Sequence, residues 1–257
     1  MVCTAAEPEF PKEFELEMGV VKDQGNIMSC VAHALSSIIE YYNKVQHNDL
    51  NLMSVGYIYG NRLNSNYKRK GMMVRDALDA VCKYGDVYHE LFPYNVEVPK
   101  AISLFKEHKD ELYTKGYPNR LSQYCKVNDE AAMKSALMAG NPILIATMWY
   151  NDMKVVDGVL TTKKLGMRGG HCMLIYGWDE RGWKMQNSWG TDWGDNGCAI
   201  IPYDMTIDEK WLVSDDILET DIENITIEKP FSSKLGEIIA KVINFIINLF
   251  KKNKEVE

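Results

Sequence analysis

Gln24-Gly25-Asn26-Ile27-Met28-Ser29-Cys30-Val31-Ala32-His33-Ala34 is the stretch on which the reading of this 257-residue chain turns. A polar, glycine-containing loop runs into small and apolar residues at helical spacing, and a thiol stands at the junction. Val31, Ala34, Leu35, Ile38 and Ile39 share one helical face, with Ser36, Ser37 and Glu40 off it. Ser29 is the expected N-cap. Cys30 then falls in the first turn, where unpaired amides and the helix dipole favour an anion. A thiol so placed is expected to have a lowered pKa, and with an imidazole beside it to be an activated nucleophile.

Two more stretches belong with it. One is Gly169-Gly170-His171, which opens the apolar run Cys172-Met173-Leu174-Ile175-Tyr176-Gly177-Trp178. The other is Asn187-Ser188-Trp189-Gly190-Thr191-Asp192-Trp193-Gly194. With Val21-Lys22-Asp23-Gln24-Gly25 and Ser29-Cys30, these motifs make the chain resemble the papain-like cysteine peptidases. Gln24 lies six residues before Cys30, and 16 residues separate His171 from Asn187. Cys30 and His171 are 141 residues apart, inside the roughly 130–150 expected of that family.

The resemblance implies roles. Cys30 is the nucleophile, and His171 takes the thiol proton and returns one to the leaving amine. Asn187 orients the imidazole, and Gln24 with the backbone N–H of Cys30 forms the oxyanion hole. Trp189 covers the Asn–His hydrogen bond, and Trp193 walls the leaving-group side. Met28, Ser29, Gly71, Met72 and Gly170 are placed beside the substrate. The run Gly71-Met72-Met73-Val74-Arg75-Asp76-Ala77-Leu78 resembles bacterial and viral members more than animal cathepsins. The chain also departs from the family pattern. Met28 replaces a glycine that lets substrate backbone approach, and Val31 replaces the aromatic that usually follows the thiol.

Other candidates are weaker. His33, one turn after Cys30, is a rival base by proximity but is read as structural. Cys172 is expected on the strand face opposite His171. His47, His89 and His108 carry no motif, and Cys3, Cys82, Cys125 and Cys198 read as structural thiols. No CxxC or zinc spacing is present, so no metal or other cofactor is implied. Papain's bridged Cys, three residues before the nucleophile, is Ile27 here, which suits a reducing compartment.

A net charge of −7 with no basic block argues against nucleic-acid binding. No secretory signal is visible, and the expected location is cytoplasmic, the host cytoplasm if the source is viral. Only 29 residues precede Cys30, so a pro-segment is either missing or already removed.

Residues 1–28 read as an extended lead-in. Helices are expected at 29–43, 52–62, 73–84, 100–115 and 128–139, and strands at 142–150, 172–178, 183–187 and 197–202. This order, helices first, fits the α+β, two-lobe fold that the resemblance implies. A mainly helical lobe (about 15–135) would face an antiparallel, β-barrel-like lobe (about 136–215) across the active-site cleft, in a domain of 1–215. Residues 216–257 form a C-terminal extension with an amphipathic helix at about 233–251. Its polar residues Glu237, Lys241, Asn244, Asn248 and Lys251 make one narrow stripe. An interfacial membrane helix, a self-associating helix and a helix packed on its own domain all remain open for it.

The function these motifs imply is hydrolysis of peptide bonds in protein or peptide substrates, by a Cys-His-Asn site through a thioester acyl-enzyme. Two alternatives stand beside it. One is a weak or inactive papain-fold binding or assembly module that uses the tail helix. The other is an acyl-transfer variant, a transpeptidase or isopeptidase.

Overall fold

A computed structural model describes residues 10–62, 70–93, 98–161 and 166–215. These lie in one compact unit, Met1–Asp221. The expected C-terminal extension at 216–257, with its helix at 233–251, lies outside the described residues, as does Cys3.

Among the described residues, six α-helices precede most of the sheet: α1 (Cys30–His47), α2 (Val55–Gly60), α3 (Val74–Tyr84), α4 (Val98–Glu107), α5 (Lys109–Gly116) and α6 (Glu130–Met138). The side chains of Ser54 and Asp129 cap α2 and α6 by accepting from Tyr57 N and Ala132 N. In α3 the expected face, Val74, Ala77, Leu78 and Val81, is the buried one. The helix expected at 100–115 is two helices, interrupted at His108. Helix α1 is buried on every side from Val31 to Asn43, Ser36, Ser37 and Glu40 included. It is therefore a central helix and not a surface helix with one apolar stripe.

The strands are β1 (Phe14–Glu15), β2 (Gln123–Lys126), β3 (Ile143–Tyr150), β4 (Val155–Val156), β5 (Val159–Leu160), β6 (Arg168–Asp179), β7 (Gly182–Gln186), β8 (Cys198–Pro202) and β9 (Glu209–Ser214). They form one sheet in the order β2-β9-β3-β6-β7-β8-β5-β4, and β1 pairs with the end of β6. All pairings are antiparallel except β5 with β8. The path is open, with β2 and β4 at its ends, so the β-barrel-like expectation is corrected to an open sheet. Strands β4 and β5, with two residues each, are too short to supply the register needed to close it.

Strand β6 is central, flanked by β3 and β7. Ile143, Leu144 and Ile145 of β3 and Ile175 of β6 are fully buried, which stabilises the fold by roughly 1.5–3 kcal/mol for each side chain. A run apolar at consecutive positions means both sheet faces are covered. One cover is α1, which packs on β6; the Tyr42 hydroxyl donates to Val213 O at 2.7 Å and to Asn141 Oδ1 at 2.9 Å. The end of β6 is fastened by the N-terminal segment. Trp178 stacks on Phe14 at 5.1 Å and donates its Nε1–H to Pro11 O. Gly177 allows this approach, because a Cβ there would lie 2.2 Å from the Phe14 carbonyl oxygen.

Candidate active site

Cys30 is the first residue of α1, half-buried. Ser29 occupies the N-cap position but makes no side-chain cap. Its hydroxyl instead donates to Ile27 O at 3.4 Å and sits 3.2 Å from His33 Nδ1. His33 Nδ1 also lies 3.0 Å from Ser29 O, and the ring is buried, with its pKa drawn down by burial to about 4. This imidazole is turned back onto the first turn of its own helix.

The expectation of a lowered Cys30 pKa is not met. The N–H groups of Cys172, Val31 and Cys30 do favour the thiolate, as a helix start should, but burial outweighs them and pushes the thiol up. The contact with Cys172 N–H carries a second meaning, since Cys172 follows His171 on β6. It brings the strand bearing the imidazole to the sulfur.

His171 faces Thr147 across the β3–β6 ladder and is buried. Its Nε2 lies 2.8 Å from Asn187 Oδ1. Ser188 N donates to the same oxygen at 2.8 Å. That backbone donor fixes Oδ1 as an acceptor, so Nε2 carries the ring proton and the lone pair is on Nδ1. Burial draws the His171 pKa down to about 4, against the hydrogen bond to Asn187, which raises it. Asn187 Nδ2 is buried with no hydrogen-bond partner among the described residues.

Trp189 stacks on the imidazole at 4.6 Å and 20°. Trp193 stands perpendicular to Trp189 at 5.4 Å. Trp149, which sequence reasoning read only as part of a buried strand, meets His171 edge-on at 5.4 Å and Trp189 at 4.9 Å. The signal for it is register. Trp149 pairs with Gly169, two residues from the Thr147–His171 pair, and so shares the face of His171.

Gln24 is held from both ends of its carboxamide. Ser188 Oγ donates to Oε1 at 2.6 Å, and Nε2 donates to Ile27 O at 2.8 Å. Its backbone N–H donates to Ser188 O, while Gly190 N donates to Lys22 O. Residues 22–24 thus run as a short crosspiece beside 188–190, bridged at Asp23 and Trp189. Ser188 was within the quoted motif but had been given no role; here it sets the direction of the Gln24 amide.

The remaining sequence candidates spread outward. Met28 is 58% exposed, next to the buried Ser29. Gly170 pairs with Met148 at the exposed start of β6, and an added Cβ there would meet nothing within 4 Å. Gly71 is equally open. Met72 shares a small pocket with Asn61, Arg62 and Asp76, a group that includes none of Cys30, His171 and Asn187. Cys30, Cys82, Cys172 and Cys198 are in no disulfide among the described residues.

A thiol at the start of α1, an imidazole with a fixed tautomer on β6 and a carboxamide bound behind it are the kinds of group that acyl transfer through sulfur uses. The chain belongs to the papain family of cysteine proteases: residues 11–210 match the family description "Papain family cysteine protease". It is 29% identical over 209 residues to an uncharacterized peptidase C1-like protein of Acanthamoeba polyphaga mimivirus, covering 75% of this chain and 67% of that one. It is 26% identical over 199 residues to the viral cathepsin of Adoxophyes honmai nucleopolyhedrovirus, covering 74% of this chain and 56% of the relative. Its fold is similar to that of xylellain, a cysteine protease from Xylella fastidiosa, with a TM-score of 0.67, 23% identity and coverage of 81% and 88% of the two chains. A Carica candamarcensis cysteine protease solved in complex with E-64 gives a TM-score of 0.60 at 16% identity, over 80% of this chain and all (100%) of that one.

Proposed function

We propose that this protein is a cysteine endopeptidase that cleaves peptide bonds in protein or peptide substrates through Cys30, His171, Asn187 and Gln24. The observation that carries this reading is the double engagement of β6. His171 Nε2 is bound to Asn187, while β6, the strand that carries His171, packs on α1, the helix that Cys30 begins.

The chemistry follows from the protonation states. Burial favours the neutral thiol and the neutral imidazole. Nδ1 of His171 takes the Cys30 proton as the sulfur bonds to the carbonyl carbon. The carbonyl electrons move to oxygen, and the N–H of Cys30 and the side-chain amide of Gln24 stabilise the oxyanion. On collapse the C–N bond breaks and the leaving amine takes the proton from His171. Water, deprotonated by the same nitrogen, then hydrolyses the thioester and restores the thiol. Asn187 holds the ring through both proton transfers, and Trp189 keeps solvent from that hydrogen bond. Gly170 and Gly71, open at their Cα atoms, leave room for substrate backbone.

Cys30→Ala is expected to abolish cleavage of a peptide library and labelling by a thiol-directed epoxide; unchanged cleavage would remove Cys30 from the reaction. His171→Ala should lower kcat by roughly 10²- to 10⁴-fold, while His33→Ala should leave kcat within a few-fold among folded molecules. The base must be unprotonated to act, so kcat/KM should fall as pH drops through about 4, where His171 takes a proton.

A further inference from the structure

Lys22 is a basic side chain in an interior that excludes most charges, and the proposed chemistry leaves it unused. Its side chain is 13% exposed, and Nζ lies 2.9 Å from Glu40 Oε2, which is 8% exposed. The same nitrogen lies 2.8 Å from Ser36 Oγ and 3.3 Å from Ser37 Oγ. An ammonium has three N–H donors, and here each has an acceptor. All three acceptors are on α1, the helix that begins with Cys30. Glu40 is itself anchored, because Oε1 accepts Met53 N at 2.7 Å.

The backbone of Lys22 faces the other way. Its carbonyl accepts Gly190 N at 3.0 Å, and two residues on Gln24 N donates to Ser188 O at 2.8 Å. One residue therefore joins three parts: the nucleophile helix, the segment that ends in Gln24, and the segment that begins with Asn187. Without the ammonium, the 22–24 crosspiece would keep its hydrogen bonds to 188–190 and the contact of the Asp23 backbone with His33 in the first turn of α1, but lose its tie to the second and third turns of that helix.

We infer that Lys22, paired with Glu40, is a positioning residue that fixes the Gln24 carboxamide relative to the Cys30 sulfur. It touches no reacting atom and acts only through Gln24. The inference rests on the proposed role of Gln24 as an oxyanion donor.

The test is a double-mutant cycle on the full chain, read in three ways. Lys22→Met keeps most of the stem and removes the charge. In the wild-type background it should lower kcat for a fluorogenic peptide about 10- to 100-fold, the range expected when a catalytic group is misplaced by about 1 Å, with KM changed less than about 3-fold. In a Gln24→Ala background the same substitution should have no further effect, since the group it positions is gone. Alkylation of Cys30 by iodoacetamide develops no carbonyl oxyanion, so its rate should be unchanged. Glu40→Gln keeps an acceptor for Met53 N and serves where Lys22→Met folds poorly; it should show the same pattern with a smaller loss. Losses that add in the Gln24→Ala background, or a fall in melting temperature with kcat unchanged, would reduce Lys22 to a structural ion pair and overturn the inference. A parallel fall in alkylation would place its effect on the thiol and overturn it too. A wild-type chain that neither cleaves peptides nor alkylates at Cys30 would instead bring down the function proposed above, and this inference with it.

Discussion

At the scale of the residue, Asn187 carries two constraints that make its identity testable. Its Oδ1 accepts from both His171 and Ser188 N, while its Nδ2 is buried without a partner among the described residues. Asn187→Asp would keep the two acceptor contacts and replace an unpartnered N–H with negative charge. A carboxylate in that position favours imidazolium. The acidic limb of kcat/KM should therefore move up from about 4 towards neutrality, measured by a pH–rate series on both proteins; an unmoved limb would mean that His171 does not set it. The place of Cys30 at the start of α1 and the pairing of His171 with Asn187 were legible because their motifs are local. Trp149 and Lys22 were not. Trp149 reaches His171 only through strand register, and Lys22 finds Glu40 eighteen positions away through a loop and a helix. The direction of the Cys30 pKa was missed for a similar reason. Helix-start amides can be read from sequence, but the burial that outweighs them comes from packing.

At the scale of the element, most segments with a repeating pattern were legible, the six-residue α2 included, while β2, β9 and the two-residue strands were not. Helices α1, α3 and α6 and strands β3, β6, β7 and β8 lie where their patterns placed them, within a few residues. Ala101, Leu104, Phe105 and Leu112 fit one continuous helical stripe, which hid the break at His108. Strands β1, β4 and β5 have two residues each, too few for any alternation to show. Strand β1 still matters, because it fastens the entry of the chain to β6. Gly177→Ala would drive a Cβ into the Phe14 carbonyl oxygen and should cost about 1–3 kcal/mol through overpacking. Gly177 is six residues along β6 from His171, about 20 Å in an extended strand. Thermal unfolding should shift down while kcat/KM of the folded protein stays within about 3-fold of wild type; a large kinetic loss at unchanged melting temperature would contradict this.

At the scale of the whole molecule, the buried histidines tie stability to pH. His33 and His171 both titrate near about 4 when folded, against about 6.5 when unfolded. Above 6.5 neither state binds the protons and the full stability is present. Between 6.5 and 4 the unfolded chain takes them up first, so stability falls with falling pH by about 1.4 kcal/mol per unit for each ring. Asp86 works in the opposite sense: burial raises its pKa, so the folded state holds its proton longer as pH rises. His33→Gln should therefore shrink the decline in unfolding free energy between pH 6.5 and 4 relative to wild type, measured by urea titration; identical slopes would show that His33 is not held neutral. Strand β6 has one more consequence. Alternate residues of a strand face opposite ways, so a slip of a single position would bring the thiol of Cys172 round to where the imidazole of His171 stands. Such a molecule would set two sulfurs facing each other with no base, and would press a side chain against the Phe14 carbonyl where only Gly177 fits. Counting reactive sites per mole of protein would then double as an assay of how faithfully the sheet has been assembled.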